Sequence, residues 1–452
     1  MIRRTFLRGC AGAGVALVAG SACAATRAAG PAVVQNATAL TEVFGDGMKL
    51  TAVAVRYDRD INTTTLPSSA FTVAGRNVTR VYANTSPASA RNGHDGPWVI
   101  VELSAADPAA ALWASPQGGG PSSAQPAAPG AGSPSGGPPA AGEAGPAPTI
   151  RPAQATITQT VPLSAADGSV AVPTGPTETT DVINAIVDDF QQLRYEDPAT
   201  GAALDYNLFA PAHFDQAKRY PLVLFMHDAS VVGAPPTGPL VQGLGAVSWA
   251  SPENQSRHEC FVLAPQYGTV VIDDTYRPTP AFDATANLVR AVVNQYPIDT
   301  NRIYATGQSM GAMMTIGLNL AHPDLFAASY VVAGQWPTDQ TAPLSRKRLW
   351  ITVSEGDDKA YPGENAITAL AQQRGATVSR AVWNGQSTQQ QFADAYAAIT
   401  ANDSSINYVA FEKGTAIPPG TPAGGSGSEH MSTWHIAYGI PAIRDWIMLQ
   451  HL

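Results

Sequence analysis

Between residues 31 and 110 apolar and polar side chains alternate in short runs, at 49–57, 70–73, 78–82 and 98–103, with Asn, Asp, Gly and Ser between them. A period of two places every second side chain on one face, so these runs predict strands of a small all-β sandwich. Similar patterning resumes at 155–161 and 169–172. Beyond residue 182 the texture changes to near-continuous apolar runs at 220–227, 260–265, 302–306, 328–333 and 348–353, which suit strands buried on both faces. Helical stretches at 282–295, 310–322, 364–374, 388–401 and 440–451 alternate with them. Strand and helix in alternation predict an α/β domain with a mostly parallel, doubly wound sheet, and chemistry at the carboxyl ends of its strands.

Two segments break these patterns. From 115 to 148 the chain holds nine Gly, nine Pro and one charge, Glu143. Such a composition buries too little surface to offset its ordering entropy, so a disordered insertion is expected. Because β-like patterning resumes after it, the tract reads as a loop within the first domain. The domain junction falls in the Pro/Gly/Thr cluster at 173–181, giving a β-domain at 31–180 and an α/β domain at 181–452. At the other end, Arg3, Arg4 and Arg8 precede a weakly apolar Gly/Ala-rich stretch from 10 to 19 and then small residues. This is the grammar of an export signal over about 1–25, and Arg3-Arg4 followed by Thr5-Phe6-Leu7 resembles the twin-arginine type. Ala22-Cys23-Ala24 fits a cleavage site, whereas Gly20-Ser21-Ala22-Cys23 lacks the large aliphatic residue of a lipoprotein box.

No apolar run reaches the roughly 20 residues that span a bilayer, so the mature protein is expected to be periplasmic or secreted, without stable membrane insertion. Cleavage would leave Cys260 alone among the cysteines, excluding an internal disulfide framework. The 452 residues include only 13% charged side chains and carry a net charge of −9, so there is no basic excess with which to bind nucleic acid.

The candidate chemistry centres on Gly307-Gln308-Ser309-Met310-Gly311, a G-x-S-x-G pattern between a predicted strand and a predicted helix. In a chain with 41 glycines the bare pattern is weak evidence, and its placement carries the argument. A nucleophile elbow holds its serine in a strained turn, where side chains at 307 and 311 would collide with the adjacent strand and helix. The Met310 amide, at the head of the helix, would then face a developing oxyanion.

Serine needs a base, and histidine titrates in the right range. His430 and His435 lie late in the chain in GGSGSEHMSTWHIAY. His430 is the better candidate because it sits in the Gly/Ser-rich loop, whereas His435 follows Trp434 at the start of a packed helix. His322 reads as a helix C-cap. The acid should follow the strand at 348–353, where Glu355-Gly356-Asp357-Asp358 supplies candidates. Counting back from Pro362, by analogy with the H-G-x-x-D-x-x-V-P loop of related hydrolases, selects Asp358; the compact Gly-Asp turn selects Asp357. The reading leans to Asp358, with Lys359 pairing the carboxylate left over. A second oxyanion amide is expected from Asp228 or Ala229, in a loop where Asp stands in place of the usual Gly after His227; His227 itself is expected to shape the loop. Gln266, Trp336 and Trp434 are candidate substrate-pocket residues. No metal or organic cofactor is implied.

From Thr41 onward, phrases such as TEVFGDGMKLTAVAVRYD, YPLVLFMHDAS, DTNRIYATGQSMGAM, SEGDDKAYPG and HMSTWHIAY resemble secreted serine esterases grouped with "predicted peptidases", which join an immunoglobulin-like domain to an α/β-hydrolase domain. The resemblance implies ester hydrolysis with Ser309, Asp357 or Asp358, and His430 as the triad, on a small-molecule or polymeric ester. A polyester depolymerase of the polyhydroxyalkanoate type is the alternative; a peptidase and a non-catalytic adhesion protein are less favoured. The β-domain is also a candidate surface for oligomerisation.

Overall fold

The computed structural model of the protein describes residues 30–114, 147–421 and 425–452. The expected signal segment and the Gly/Pro-rich tract up to residue 146 lie outside these residues.

The alternation at 49–57 belongs to a long hairpin of β1 (Val34–Phe44) and β2 (Gly47–Ile61), whose paired faces are buried along most of its length. With β3 (Phe71–Val73), β4 (Val78–Asn84), β5 (Gly96–Leu103), β6 (Thr156–Gln159), β7 (Pro176–Glu178) and β8 (Asp181–Asn184) it builds two facing sheets. One has the order β8-β1-β2-β5-β4 and the other β7-β6-β3. Asp107 anchors the connection after β5: it pairs with Arg76 at 3.1 Å and accepts the Asn77 amide at 2.8 Å.

The last strand corrects the expected junction at 181. Residues 181–184 pair in parallel with 38–41 of β1, so they close the first sheet. The exposed Val182 and Ile183 satisfy their backbone on that sheet edge, a long-range pairing that local composition does not reveal.

The second sheet has nine strands: β9 (Gln191–Glu196), β10 (Ala203–Phe209), β11 (Tyr220–Met226), β12 (Phe261–Gln266), β13 (Ile298–Gln308), β14 (Ala328–Val332), β15 (Leu349–Ser354), β16 (Val378–Trp383) and β17 (Ile406–Phe411). Their order is β9-β10-β12-β11-β13-β14-β15-β17-β16. The strands from β11 to β17 run parallel, and the β9–β10 hairpin adds an antiparallel edge. Every residue of β11, β12, β14 and β15 is buried, which is why these strands read as continuous apolar runs.

The helices are α1 (Gly238–Val241), α2 (Leu244–Ala250), α3 (Pro252–Arg257), α4 (Pro280–Gln295), α5 (Met310–Ala321), α6 (Ala360–Gln373), α7 (Gln389–Thr400), α8 (Ser426–Ala437) and α9 (Pro441–Met448). α5 is buried from Met310 to Asn319, an apolar helix with no wet face. At the tip of the β1–β2 hairpin, Gly45 lies so close to α8 that a Cβ there would sit 2.1 Å from the His435 carbonyl oxygen.

Candidate active site

The carboxyl ends of β11, β13, β14 and β15 converge, with Met226 beside Gly307 and Gln308 beside Val332 in the register. Directly after β13 the chain turns into α5 through Ser309, whose φ of 51° and ψ of −116° form a strained non-glycine conformation. Neighbouring glycines make the turn sterically feasible. A Cβ at Gly311 would lie 2.0 Å from the Met226 carbonyl oxygen, and one at Gly307 would lie 2.4 Å from the Gly311 backbone. The Ser309 amide donates to Val332 O at 3.0 Å, fixing the bend to the next strand. Met310 is the first residue of α5, so its amide has no acceptor within the helix.

His430 projects from α8, and its Nε2 lies 2.9 Å from Ser309 Oγ. Its Nδ1 lies 2.5 Å from Asp357 Oδ2. Asp357 is fully buried and also accepts the Ala360 amide at 2.9 Å and the Lys359 amide at 3.1 Å, at the entrance to α6. Burial by itself would raise the Asp357 carboxyl, but the His430 hydrogen bond and charge, with those two amides, outweigh it and hold the group below the ordinary carboxylate value.

Two sequence expectations about this line need correction. Asp358 is exposed, and what it contributes is a backbone amide, which donates to Ser426 Oγ at 2.8 Å. The turn into α6 points consecutive side chains opposite ways, so only Asp357 faces the imidazole. His430 also sits within a helix, because α8 begins at Ser426; His435 lies later on that same helix. Glycines and serines at 425–428 read as loop, yet the helix is held by contacts from other parts of the chain.

Chief among these is Glu429, which sequence reasoning did not single out. Its buried carboxylate accepts the Ser354 hydroxyl at 2.5 Å and the Gly414 amide at 2.6 Å. Gly356 packs against it so closely that a Cβ would meet Glu429 Cδ at 2.5 Å. A glutamate directly before the candidate base was the available signal, but an unpaired charge in a Gly/Ser-rich stretch reads as solvated surface.

His227 shapes its loop as expected. Its Nε2 accepts the Tyr267 amide at 3.0 Å, which assigns the proton to Nδ1, and Nδ1–H donates to Asp228 O at 2.7 Å. Full burial pushes this imidazole down to about 4, against the opposing pull of Asp228. Asp228 is buried and caps the short turn Ala229–Val231 by accepting the Ser230 amide at 2.8 Å. Ala229, first in that turn, has an amide free of any intra-turn acceptor.

The remaining expectations divide. Gln266 is buried and its amide nitrogen donates to Val231 O at 2.9 Å and Tyr267 O at 3.1 Å, which braces the loop after β11. Trp434 is buried edge-to-face against His430, centroids 5.0 Å apart, and supports the imidazole. One helical turn separates the two, so α8 itself brings them together. Trp336 is half-buried, faces Tyr276 at 5.7 Å and donates to Gln340 at 3.1 Å. Lys359 pairs with Asp274, not with a spare carboxylate of its own turn, and Gln335 donates to the same Asp274 at 2.8 Å. His322 is the C-cap of α5.

Among the described residues no cluster of three or more His, Cys, Asp or Glu is arranged to hold a metal ion, and no helix is long and apolar enough to cross a membrane. Cys260 is buried and unpaired.

Residues 36–172 match the family model for the esterase Ig-like N-terminal domain, and residues 279–379 that of the prolyl oligopeptidase family. A crystal structure of a thermostable esterase superposes with a TM-score of 0.74 at 25% identity, covering 93% of this chain and all of that one. Acetylxylan esterase A of Emericella nidulans is 46% identical over 97 residues, 18% of this chain and 32% of the relative. A poly(3-hydroxybutyrate) depolymerase of Ralstonia pickettii is 28% identical over 191 residues, 35% of this chain and 38% of the relative. The matches thus span about a third of the length of these two curated relatives. The chain has an α/β-hydrolase fold preceded by an immunoglobulin-like domain that matches the esterase-type model, and over most of its length it is similar to an esterase.

Proposed function

We propose that the protein is an exported serine carboxylesterase that cleaves carboxylic esters through an acyl-enzyme on Ser309. One observation carries the reading: the continuous line from Ser309 Oγ to His430 Nε2 at 2.9 Å and from His430 Nδ1 to Asp357 at 2.5 Å, ending on a carboxylate kept ionised. In the forward step Ser309 Oγ attacks the ester carbonyl while His430 Nε2 takes its proton. Asp357 holds the tautomer and stabilises the imidazolium, and the Met310 and Ala229 amides receive the charge on the carbonyl oxygen. His430 then protonates the departing alcohol, and water, deprotonated by the same imidazole, releases the acid.

The natural ester is the finer question. Similarity to a poly(3-hydroxybutyrate) depolymerase favours a polyester as the second reading, and similarity to acetylxylan esterases supports short acyl groups. A panel of p-nitrophenyl esters from acetyl to dodecanoyl, run beside a film of poly(3-hydroxybutyrate), separates the two. Ser309→Ala should abolish turnover on all of them, and a variant retaining full turnover would defeat the reading. A peptidyl anilide tests the peptidase alternative raised by the prolyl oligopeptidase match. Export rests on Arg3-Arg4 and the apolar stretch that follows; Arg3→Lys/Arg4→Lys should trap the protein in the cytoplasm of a bacterial host, as read by cell fractionation.

A further inference from the structure

The residue before the nucleophile, Gln308, reaches into a buried polar knot. Its Nε2 donates to Asp228 Oδ2 at 2.8 Å and to Gln242 Oε1 at 3.2 Å. The other carboxylate oxygen of Asp228 takes both the amide and the hydroxyl of Ser230. All three side chains that meet here, Asp228, Gln242 and Gln308, are at least nine-tenths buried. A carboxylate in such a place is costly unless donors surround it, and these donors come from both the nucleophile turn and the turn that follows β11.

We propose that Asp228 is a positioning residue: through Gln308 its carboxylate clamps the turn bearing the Ala229 amide to the elbow bearing Ser309 and Met310. Loops of this type more often carry glycine after the histidine, and a glycine leaves the amide direction to backbone freedom. Asp228 instead fixes the turn with its side chain, capping it at Ser230 and tethering it to the residue before the nucleophile. The two candidate oxyanion amides, on separate strands' ends, are thereby held at one spacing. Preorganised donors are effective only when their spacing is set before charge develops, so the clamp acts on the transition state and not on substrate affinity.

This inference rests on the esterase reading, and the experiment separates the two. Gln308→Glu places a second acceptor against Asp228 and breaks the clamp; adding Asp228→Asn restores a donor–acceptor pair with the polarity reversed. Each protein is assayed on p-nitrophenyl acetate and on its thiono analogue, whose C=S group bonds weakly to oxyanion donors. Gln308→Glu should lower kcat on the oxygen ester about 10- to 100-fold, by analogy with the loss of one oxyanion donor, with KM within about threefold. The oxygen-to-sulfur rate ratio should fall with kcat, which a smaller folded fraction would not cause, since it scales both rates alike. The double variant should recover at least about tenfold of the loss. Should Gln308→Glu fail to fold, Gln308→Met removes the same hydrogen bonds without adding charge and should lower the ratio in the same direction. An unchanged oxygen-to-sulfur ratio, or no recovery in the double variant, overturns the clamp while leaving the esterase reading intact. A wild-type protein without ester turnover overturns both.

Discussion

The Glu429 carboxylate accepts the Ser354 hydroxyl at 2.5 Å, which ties the helix of His430 to the strand end that precedes Asp357. Two members of the proposed catalytic line, 73 residues apart in sequence, are therefore referenced to one buried hydrogen bond. Its second oxygen bonds the Gly414 amide, so the carboxylate has partners on both sides.

Glu429→Ala leaves Ser354 and the Gly414 amide unsatisfied and opens space beside Gly356. Stability should fall by about 2–4 kcal/mol, the range for breaking a buried hydrogen-bonded charge, and kcat should fall because the imidazole loses its reference to Asp357. Urea unfolding and steady-state kinetics on the folded variant check the two effects separately.

Asp357→Asn and Asp358→Asn differ by one position and should differ by orders of magnitude. The buried Asp357 holds Nδ1–H of His430, so its amide variant should lose about 10³- to 10⁴-fold in kcat with KM little changed. Asp358 is exposed, and its variant should stay within about twofold of wild type.

His227 makes stability depend on pH. Its folded pKa, about 4, lies below the ordinary value of 6.5, so between these values the unfolded chain binds a proton that the folded chain refuses. Stability should therefore fall as pH drops from about 6.5 to about 4, by up to about 3 kcal/mol, and this contribution should level off below that. His435, lowered by burial, adds in the same direction. Asp357 acts in a separate window, since its depressed carboxyl costs stability only as pH falls below the ordinary 3.8. Urea midpoints at about pH 7 and pH 4.5 should differ less in His227→Gln than in wild type.

Gly45→Ala tests the contact between the two domains. The added Cβ would fall 2.1 Å from the main-chain oxygen of His435, which cannot swing aside as a side chain could. Destabilisation of about 1–3 kcal/mol is expected from the overpacking, together with a lower kcat because α8 also carries His430. Thermal melts and initial rates report the two; an unshifted melt would mean that the hairpin tip does not press on the helix.

Much of this arrangement was legible in the amino-acid order. Buried parallel strands announce themselves because both faces must be apolar, and the elbow announces itself because two glycines must flank the serine wherever a helix crosses that close to a strand. These are constraints between neighbours in the chain, and composition records them. The strands β16 and β17 were harder, since one is an edge strand with polar positions and the other takes its register from β15 and β16, both distant in sequence. The choice between Asp357 and Asp358, the helical state of His430, the pairing of residues 181–184 with β1 and the knot of Asp228, Gln308 and Gln242 were settled by tertiary structure. Each depends on which groups from distant segments arrive with a donor or an acceptor to offer. A buried polar side chain is stable only in that company, and local sequence does not encode who the company will be.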